Sequence, residues 1–444
     1  MTIKQKTRAE QMEELGKFLG KKFTFVRTLG EELKIQRELN KFTSQLDSNQ
    51  QQATLSIASP PQLLMTNEVK KIYQSNNWSA IKKLQDQANK DLSAMMSNIQ
   101  NHPLNSWFEV QDDTDPTQYY YYTFDKINGS YAWCWCNAVN PAFDPFNPNI
   151  KLMAPVQYGV YSTTTSIAGI HSYNLGLATV LPEVAVASIL SLFISKALGK
   201  GINFLASDLT KMISDAATEA GCELVFSIAS SALGIVCGCV VFAIVFIGIS
   251  YLWNFFNKRF QIYVSVYNWD PVNDWQIPVQ ALSNGVNPGQ DSNNNINLQI
   301  PKQVPQGSHI GKSVSLPPDI ASELMHTMEA VVNYATIAYE NTHTFAQGLS
   351  FSFNCSMVKN PNTGFTYAFQ CPWVASNAQY IEGTVQDPNS FLSKARSHWV
   401  EKTGPLTVNV AGMPVSCWID DLTGGDAQGS DNYQVAIHIN PPQN

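Results

Sequence analysis

Charge is what this chain has least of. Of its 444 residues, 14% are Asp, Glu, Lys or Arg, against roughly a quarter in an ordinary soluble domain. With 28 basic and 35 acidic residues the formal net charge is −7. That balance excludes the basic surface that non-specific nucleic-acid binding needs, so no nucleic-acid partner is expected. Apolar residues still make up 44% and aromatics 11%, which excludes global disorder. At ~100–200 residues per domain the length implies two or three domains.

Targeting signals are missing too. Met1 to Glu14 is polar and charged, without an apolar stretch followed by small residues. No secretory leader is therefore expected: the protein stays inside, is released by an unconventional route or by lysis, or a leader has been removed. The end, Pro441-Pro442-Gln443-Asn444, carries no lipidation or retention signal. The eight cysteines (134, 136, 222, 237, 239, 355, 371 and 417) contain no C-x-x-C, which argues against a zinc ribbon or thioredoxin-type site. Cys237 and Cys239 read as small buried residues. Cys355 and Cys371 are placed to end facing strands, leaving one disulfide conceivable beside the favoured reduced state.

Catalytic signatures are equally scarce. Gly307-Ser308-His309-Ile310-Gly311-Lys312-Ser313 resembles a phosphate loop, but Gln306 stands where the first glycine belongs, and the flanks are proline-rich. There is no H-E-x-x-H, and Gly348-Leu349-Ser350-Phe351-Ser352 lacks the second glycine of a nucleophile elbow. Asp112, Asp113 and Asp115 match no calcium loop and read as a solvated acidic turn. The sequons starting at Asn77, Asn128 and Asn354 read as chance. No cofactor, metal or enzymatic activity is expected.

Three patterns are present. The N-terminal third reads as helical. Between Glu10 and Leu46 apolar residues recur at Met12, Leu15, Leu19, Val26, Leu29 and Leu33, then slip and resume at Leu39, Phe42 and Leu46. Ser59-Pro60-Pro61 should stop any helix. A second helix carries Ile81, Leu84, Ala88, Leu92, Met95 and Ile99 on one stripe until His102-Pro103 ends it. From Ser106 the pattern turns β: Tyr119 to Phe124, a turn at Asn128-Gly129, and a return strand Ser130 to Cys136.

The second pattern is a block from Leu181 to Phe256. Leu224 to Asn257 is 34 residues without a single charge. As one helix it would be ~51 Å long against a hydrocarbon core of ~30 Å. A spanning segment within it includes Leu224, Val225, Phe226, Ile235, Val240, Val241, Phe242, Ile244, Val245, Phe246 and Ile247 as the expected membrane-insertion residues. Gly234 and Gly238 have the small-residue spacing that lets two helices approach. Tyr251, Trp253, Lys258 and Arg259 resemble an interfacial belt with a basic flank. Richness in Val and Ile leaves a buried strand pair as the lesser alternative. Upstream, Val184 to Ser195 is apolar but short, and Ile202 to Cys222 is amphipathic.

The third pattern is the tail. Phe260, Ile262, Val264 and Val266 alternate with less apolar residues. A helix is expected from Pro317 to Tyr339 on the stripe Ile320, Leu324, Met328, Val331, Ala335 and Ala338. Alternating strands follow at 349–355, 365–371, 406–410, 415–419 and 433–439. Trp269, Trp275, Trp373 and Trp418 are candidates for target binding by stacking on sugars or entering a headgroup layer, with core packing as the competing role.

Together these give an α+β expectation: an N-terminal amphipathic helical bundle (1–105), a β-hairpin and loop region (106–180), a hydrophobic helical hairpin (181–257), and an antiparallel β-sandwich-like C-terminal domain (258–444). A soluble composition hiding one long apolar block resembles the α-pore-forming toxins over roughly residues 1–256. The order of helices then strands is similar to that of insecticidal crystal toxins, although none of their sequence blocks is present. The resemblance implies a cytolysin that is released soluble, binds a cell-surface receptor or glycan, inserts its hairpin into the lipid bilayer and assembles there as a homo-oligomer. The alternatives are an integral membrane protein with one or two spans and a β ectodomain, or a soluble carbohydrate-binding protein. A membrane-associated hydrolase lacks a visible catalytic constellation.

Overall fold

Asn128 and Gly129 have φ of 52° and 85°, the left-handed pair that a two-residue hairpin turn requires. They join β4 (Asp115–Ile127) to β5 (Ser130–Cys136) with Ile127 opposite Ser130 and Tyr121 opposite Cys136, as the alternation predicts. The computed structural model describes residues 7–19, 22–38, 52–75, 77, 80–81, 83–84, 87, 101–136, 152–177, 183–200, 206–222, 225–228, 260–287, 295–303, 330–341, 348–422 and 431–441.

The hairpin belongs to a large sheet. β1 (Phe23–Thr28), β3 (Trp107–Asp112), β4, β5, β6 (Leu152–Ser162), β7 (Ile167–Leu177) and β2 (Gln52–Met65) lie side by side in that order. The sheet continues through β13 (Ala330–Asn341), β9 (Phe260–Asn268), β19 (Asp431–Ile439), β18 (Met413–Ile419) and β17 (Leu406–Val410), while β8 (Val225–Ile228) pairs with β2 and β11 (Gly285–Val286) with β13. A second sheet has the order β12 (Asn295–Ile300), β10 (Trp275–Ser283), β14 (Leu349–Met357), β15 (Asn360–Cys371), β16 (Ala378–Glu382).

The expected α+β arrangement is therefore corrected to a mainly β architecture. Six short helices are described: α1 (Arg8–Leu19), α2 (Leu29–Glu38), α3 (Asn67–Gln74), α4 (Glu183–Lys200), α5 (Ala206–Ala220) and α6 (Pro388–Ala395). They form no N-terminal bundle and no long hydrophobic hairpin. Among the described residues no helix is long and apolar enough to cross a membrane, so the expected transmembrane helix is not found there.

The expected helix from Glu10 to Leu46 is interrupted by β1. Phe23, Thr24, Phe25 and Val26 are β-prone, and β1 pairs with β3, Phe23 facing Asp112 and Thr28 facing Phe108. Two reciprocal capping boxes mark separate helix starts. Thr7 N–H donates to Glu10 at 2.6 Å and Glu10 N–H to Thr7 Oγ1 at 3.3 Å. Thr28 and Glu31 repeat the exchange at 2.8 and 3.2 Å. Residues 39–46 lie outside the described residues, as does most of the expected helix at 81–99.

Pro60 and Pro61 lie inside β2 instead of ending a helix. Ile57 faces Tyr173 and Gln62 faces Ile170, so β2 spends five residues where β7 spends three. Prolines have no N–H to give a ladder, and a bulge is where a strand tolerates them. The expected helix at 317–339 is overturned from Ala330 onward: Asn333, Ala335, Ile337 and Tyr339 form one face of a strand held by β2 and β9. Its residues 317–329 lie outside the described residues.

The sandwich expectation fits only in part. Apolar residues of β9, β13, β18 and β19 share one core with those of β10, β12, β14 and β15, and Tyr339 stacks on Phe351 across the two sheets at 3.8 Å. However, β9 and β19 are parallel, with Phe260 opposite Asp431 and Asn268 opposite Ile439. The first sheet also runs on into the N-terminal strands. Helix α6, N-capped by Asp387, lays Phe391 and Ala395 on the second sheet against Ala281 and Ala368. Cys355 faces Phe365 while Cys371 faces Leu349, so these cysteines sit at opposite ends of one strand pair, and both are free thiols.

The N-terminal core is aromatic: Met12 and Leu15 of α1 share it with Tyr122, Trp133 and Trp135. Trp133 lies across from Gly159, where a Cβ would stand 2.1 Å from the indole ring. Gln157 accepts from both indole N–H groups, of Trp133 and Trp135, at 3.3 Å. Gly159→Val should cost about 1–3 kcal/mol through overpacking. Gln157→Leu should cost a similar amount or more by leaving two buried indole donors unmet. Urea denaturation midpoints at constant slope check both.

Candidate functional site

The uncharged run is tethered at both ends to the large sheet. At its start Val225 to Ile228 form β8, which lies parallel to β2 with Val225 opposite Gln52 and Ile228 opposite Leu55. Val225 and Phe226 therefore belong to a strand, not to the expected helix. At its end the chain enters β9 at Phe260. Of the expected insertion residues, Leu224, Ile235, Val240, Val241, Phe242, Ile244, Val245, Phe246 and Ile247, and the expected packing glycines Gly234 and Gly238, lie outside the described residues. β2 and β9 both run antiparallel to β13, so β8 and β9 point the same way.

Upstream of the run, α4 is buried from Val184 to Leu192, while Ser195 and Lys196 further along it are half-buried. Its polar groups are satisfied locally. Ser188 donates to the Val184 carbonyl and Ser191 to that of Pro103, each at 2.7 Å, and Lys196 pairs with Glu219 of α5 at 2.8 Å. This is a core helix.

The tryptophans expected to bind a target divide sharply. Trp275 is buried, its N–H donating to Asp270 at 3.3 Å. Trp269 and Trp418 are buried as well, so none of these three presents a ring to a ligand. Trp373 is half-buried at the edge of the sandwich core. Beside it Val374 is 91% exposed.

Trp269 and Trp418 belong to an aromatic cage on the outer face of β9, β13, β18 and β19. His438 lies at its centre, fully buried. Tyr267 stacks on the imidazole at 5.0 Å and Trp269 at 6.1 Å, and Trp418 meets it edge-on at 5.2 Å. Tyr334 stacks on Tyr267 at 5.6 Å. Helix α3, N-capped by Thr66, sets Tyr73 against Tyr267 at 5.9 Å and the Lys70 ammonium 5.6 Å from the Trp269 ring. The Trp269 N–H donates to His438 Nδ1 at 2.8 Å. The neutral ring thus carries its proton on Nε2, which finds no hydrogen-bond partner among the described residues. Burial brings the His438 pKa down to about 3, and burial lowers that of Lys70 as well. The alternation around Ile437 and Ile439 is a signal that places His438 on the face opposite the sandwich core. Its neighbours follow only from the parallel β9–β19 pairing.

Asp270 organises the turn from β9 to β10. It accepts from the N–H groups of Val272 and Asn273, from Asn273 Nδ2 and from Trp275 Nε1, at 2.8 to 3.3 Å. Asp112 likewise closes a turn, accepting from Thr114 N–H at 2.8 Å, and Asp113 accepts from Thr24 at 2.6 Å. Among the described residues no group of His, Cys, Asp and Glu could hold a metal ion. Burial raises the thiol pKa of Cys134, Cys355 and Cys417, so these are protonated packing residues.

No protein-family model matches the sequence, and no curated protein matches it. Among solved structures the chain is similar to the lipid-binding protein Nakanori (TM-score 0.26, 8% identity, covering 42% of this chain and 74% of that one). It is also similar to RahU protein (TM-score 0.20, 13% identity, 41% and 96%) and to IP-1A from Alcaligenes faecalis (TM-score 0.19, 13% identity, 40% and 89%). Likenesses this low define neither the fold nor the function of this chain.

Asp270→Ala should remove the shared acceptor of four donors and cost about 3 kcal/mol, read as a lowered urea midpoint. Asp270→Asn, which keeps one acceptor oxygen, should cost less.

Proposed function

We propose that this protein acts on lipid bilayers and permeabilises them through the segment that begins at β8 and returns at β9. The observation that supports this reading is the 34-residue uncharged run, Leu224 to Asn257, in a chain of otherwise mixed polarity. An apolar segment of that length left in water drives association, so it must be covered by protein or by lipid.

The anchors limit how such a segment inserts. Both ends join one sheet, so the segment must leave and return on the same side of a membrane. Two helical spans require ~40 residues, more than residues 229–259 supply. Two strands of ~9–11 residues each, with a turn between them, fit. A pair of membrane strands exposes unpaired edges, which closure into a barrel removes. The reading therefore entails a homo-oligomer in the membrane. Recognition of the target surface falls to loops such as the one carrying Trp373 and Val374.

The parallel relation of β8 and β9 supports a second reading. Parallel neighbours need a long crossover, and an apolar crossover packed on a sheet is an ordinary core element. In that case the run never leaves the protein.

Dye release from liposomes separates the two. Under the first reading purified protein releases dye, and Val241→Asp or Ile244→Arg reduces release at least tenfold, since a charge at mid-bilayer costs roughly 2.5–3.5 kcal/mol on insertion scales. Under the second, wild-type protein releases nothing and the same substitutions lower the urea midpoint. Folded variants that release dye as well as wild type would reject the membrane role of the run.

A further inference from the structure

His438 and Trp269 meet through a bond that a proton must break. The lone pair of the imidazole lies on Nδ1, and the Trp269 N–H occupies it at 2.8 Å. Nε2 already bears hydrogen, and among the described residues it meets no acceptor. An imidazolium here would set two N–H donors against each other and bury an uncompensated charge among Tyr267, Trp269 and Trp418. The stacked faces of Tyr267 and Trp269 offer a cation–π attraction, but none of the caging side chains carries a negative charge to pair with it. Tyr267 stays neutral, burial raising its pKa to about 12. Lys70 is already cationic in acid, and Glu68 and Lys71 of α3 are exposed.

We propose that His438 is an acid-responsive lock, which holds α3 on the sheet while neutral and releases it when protonated. Helix α3 is the element the lock controls because it rests on the caging rings themselves, through Tyr73 on Tyr267 and Lys70 over Trp269. It follows β2 directly, and β2 carries β8. The proposal does not rest on the membrane reading.

The sign follows from linkage. Closed, His438 has a pKa of about 3; opened to water it returns towards its ordinary 6.5. Between those values the open form alone gains the proton, and the closed-to-open ratio falls up to tenfold per pH unit as acid is added. Asp420 opposes this in global unfolding. Burial lifts its carboxyl to about 7 from 3.8, so it weakens the fold as pH rises through that window. Asp420 accepts from Gln434 N–H on β19 and from Asp421 N–H and takes no part in the α3 contacts through Tyr73 and Lys70, so local opening of α3 reads His438.

Hydrogen exchange tests the lock on the full chain. The protection factors of Val69 to Gln74 should fall up to ~100-fold between pH 6.5 and 4.5. They should become indifferent to pH in the double variant Trp269→Phe with His438→Phe, which removes donor and acceptor together. The His438 ring resonances should show no titration near 6.5 in the folded protein. Ring resonances that titrate near 6.5, or α3 protection unchanged by acid in wild type, overturn the proposal without recourse to a variant.

Discussion

Strand β13 pairs on both sides, and the two halves of the chain are joined through it. Ala330 to Asn333 face Met65 to Gln62 of β2, while Asn333 to Glu340 face Asn268 to Gln261 of β9. Asn333 takes part in both ladders. Along that row the inner face of the sheet is polar: Gln62, Asn333 and Asn268 sit side by side, all buried. Apolar cores lie on either side of them. Asn268 donates to the carbonyls of Ile300 and Pro301 at 2.9 Å, and Asn333 to that of Lys302 at 2.8 Å. These carboxamides tie the end of β12, and so the second sheet, to the first. Among the described residues Gln62 Oε1 and Asn333 Oδ1 have no hydrogen-bond partner, a cost that a purely apolar row would avoid. What the row confers is register, since slipping β13 by one residue would turn Asn333 away from both neighbours.

Around that seam the fold rests on aromatic rings more than on charge. Among the described residues the ion pairs shown lie mostly at the surface, where each contributes little. The exception is Arg27, which meets Glu32 at 2.5 Å and Glu109 at 2.9 Å. Burial there raises the Glu109 pKa against the pull of the guanidinium. Elsewhere Trp133 and Trp135 share one glutamine, and Trp269 relies on a histidine. Each of these three indoles brings one N–H whose partner is another buried side chain, so packing and hydrogen bonding cannot be changed separately in these places.

Local chemistry was legible wherever a short motif decides the backbone. Asn128-Gly129 marked its hairpin because few other residue pairs accept two positive φ angles. The strands at 349–355 and 365–371 were readable from strict alternation around a turn. The break in the N-terminal helix was also written in the chain: Thr28-x-x-Glu31 is a helix start in the middle of what periodicity presents as one helix. Periodicity misled because β1 is short, and its apolar residues happen to continue the helical stripe. At 330–339 a helical stripe and a strand face draw on the same Val, Ala and Ile residues, and pairing on two sides outweighs propensity.

The sequence alone determined that the chain would bury large aromatic cores, where its sharp turns fall, and that one long stretch carries no charge, because composition and φ requirements act residue by residue. Only the tertiary structure decided that Trp269, Trp275 and Trp418 are internal, that Cys355 and Cys371 lie apart, that β9 runs parallel to a strand some 170 positions later, and that both ends of the uncharged stretch are anchored in one sheet. Each of these depends on which distant strand becomes a neighbour. That choice is made by cross-strand packing summed over whole faces, and no local pattern encodes it.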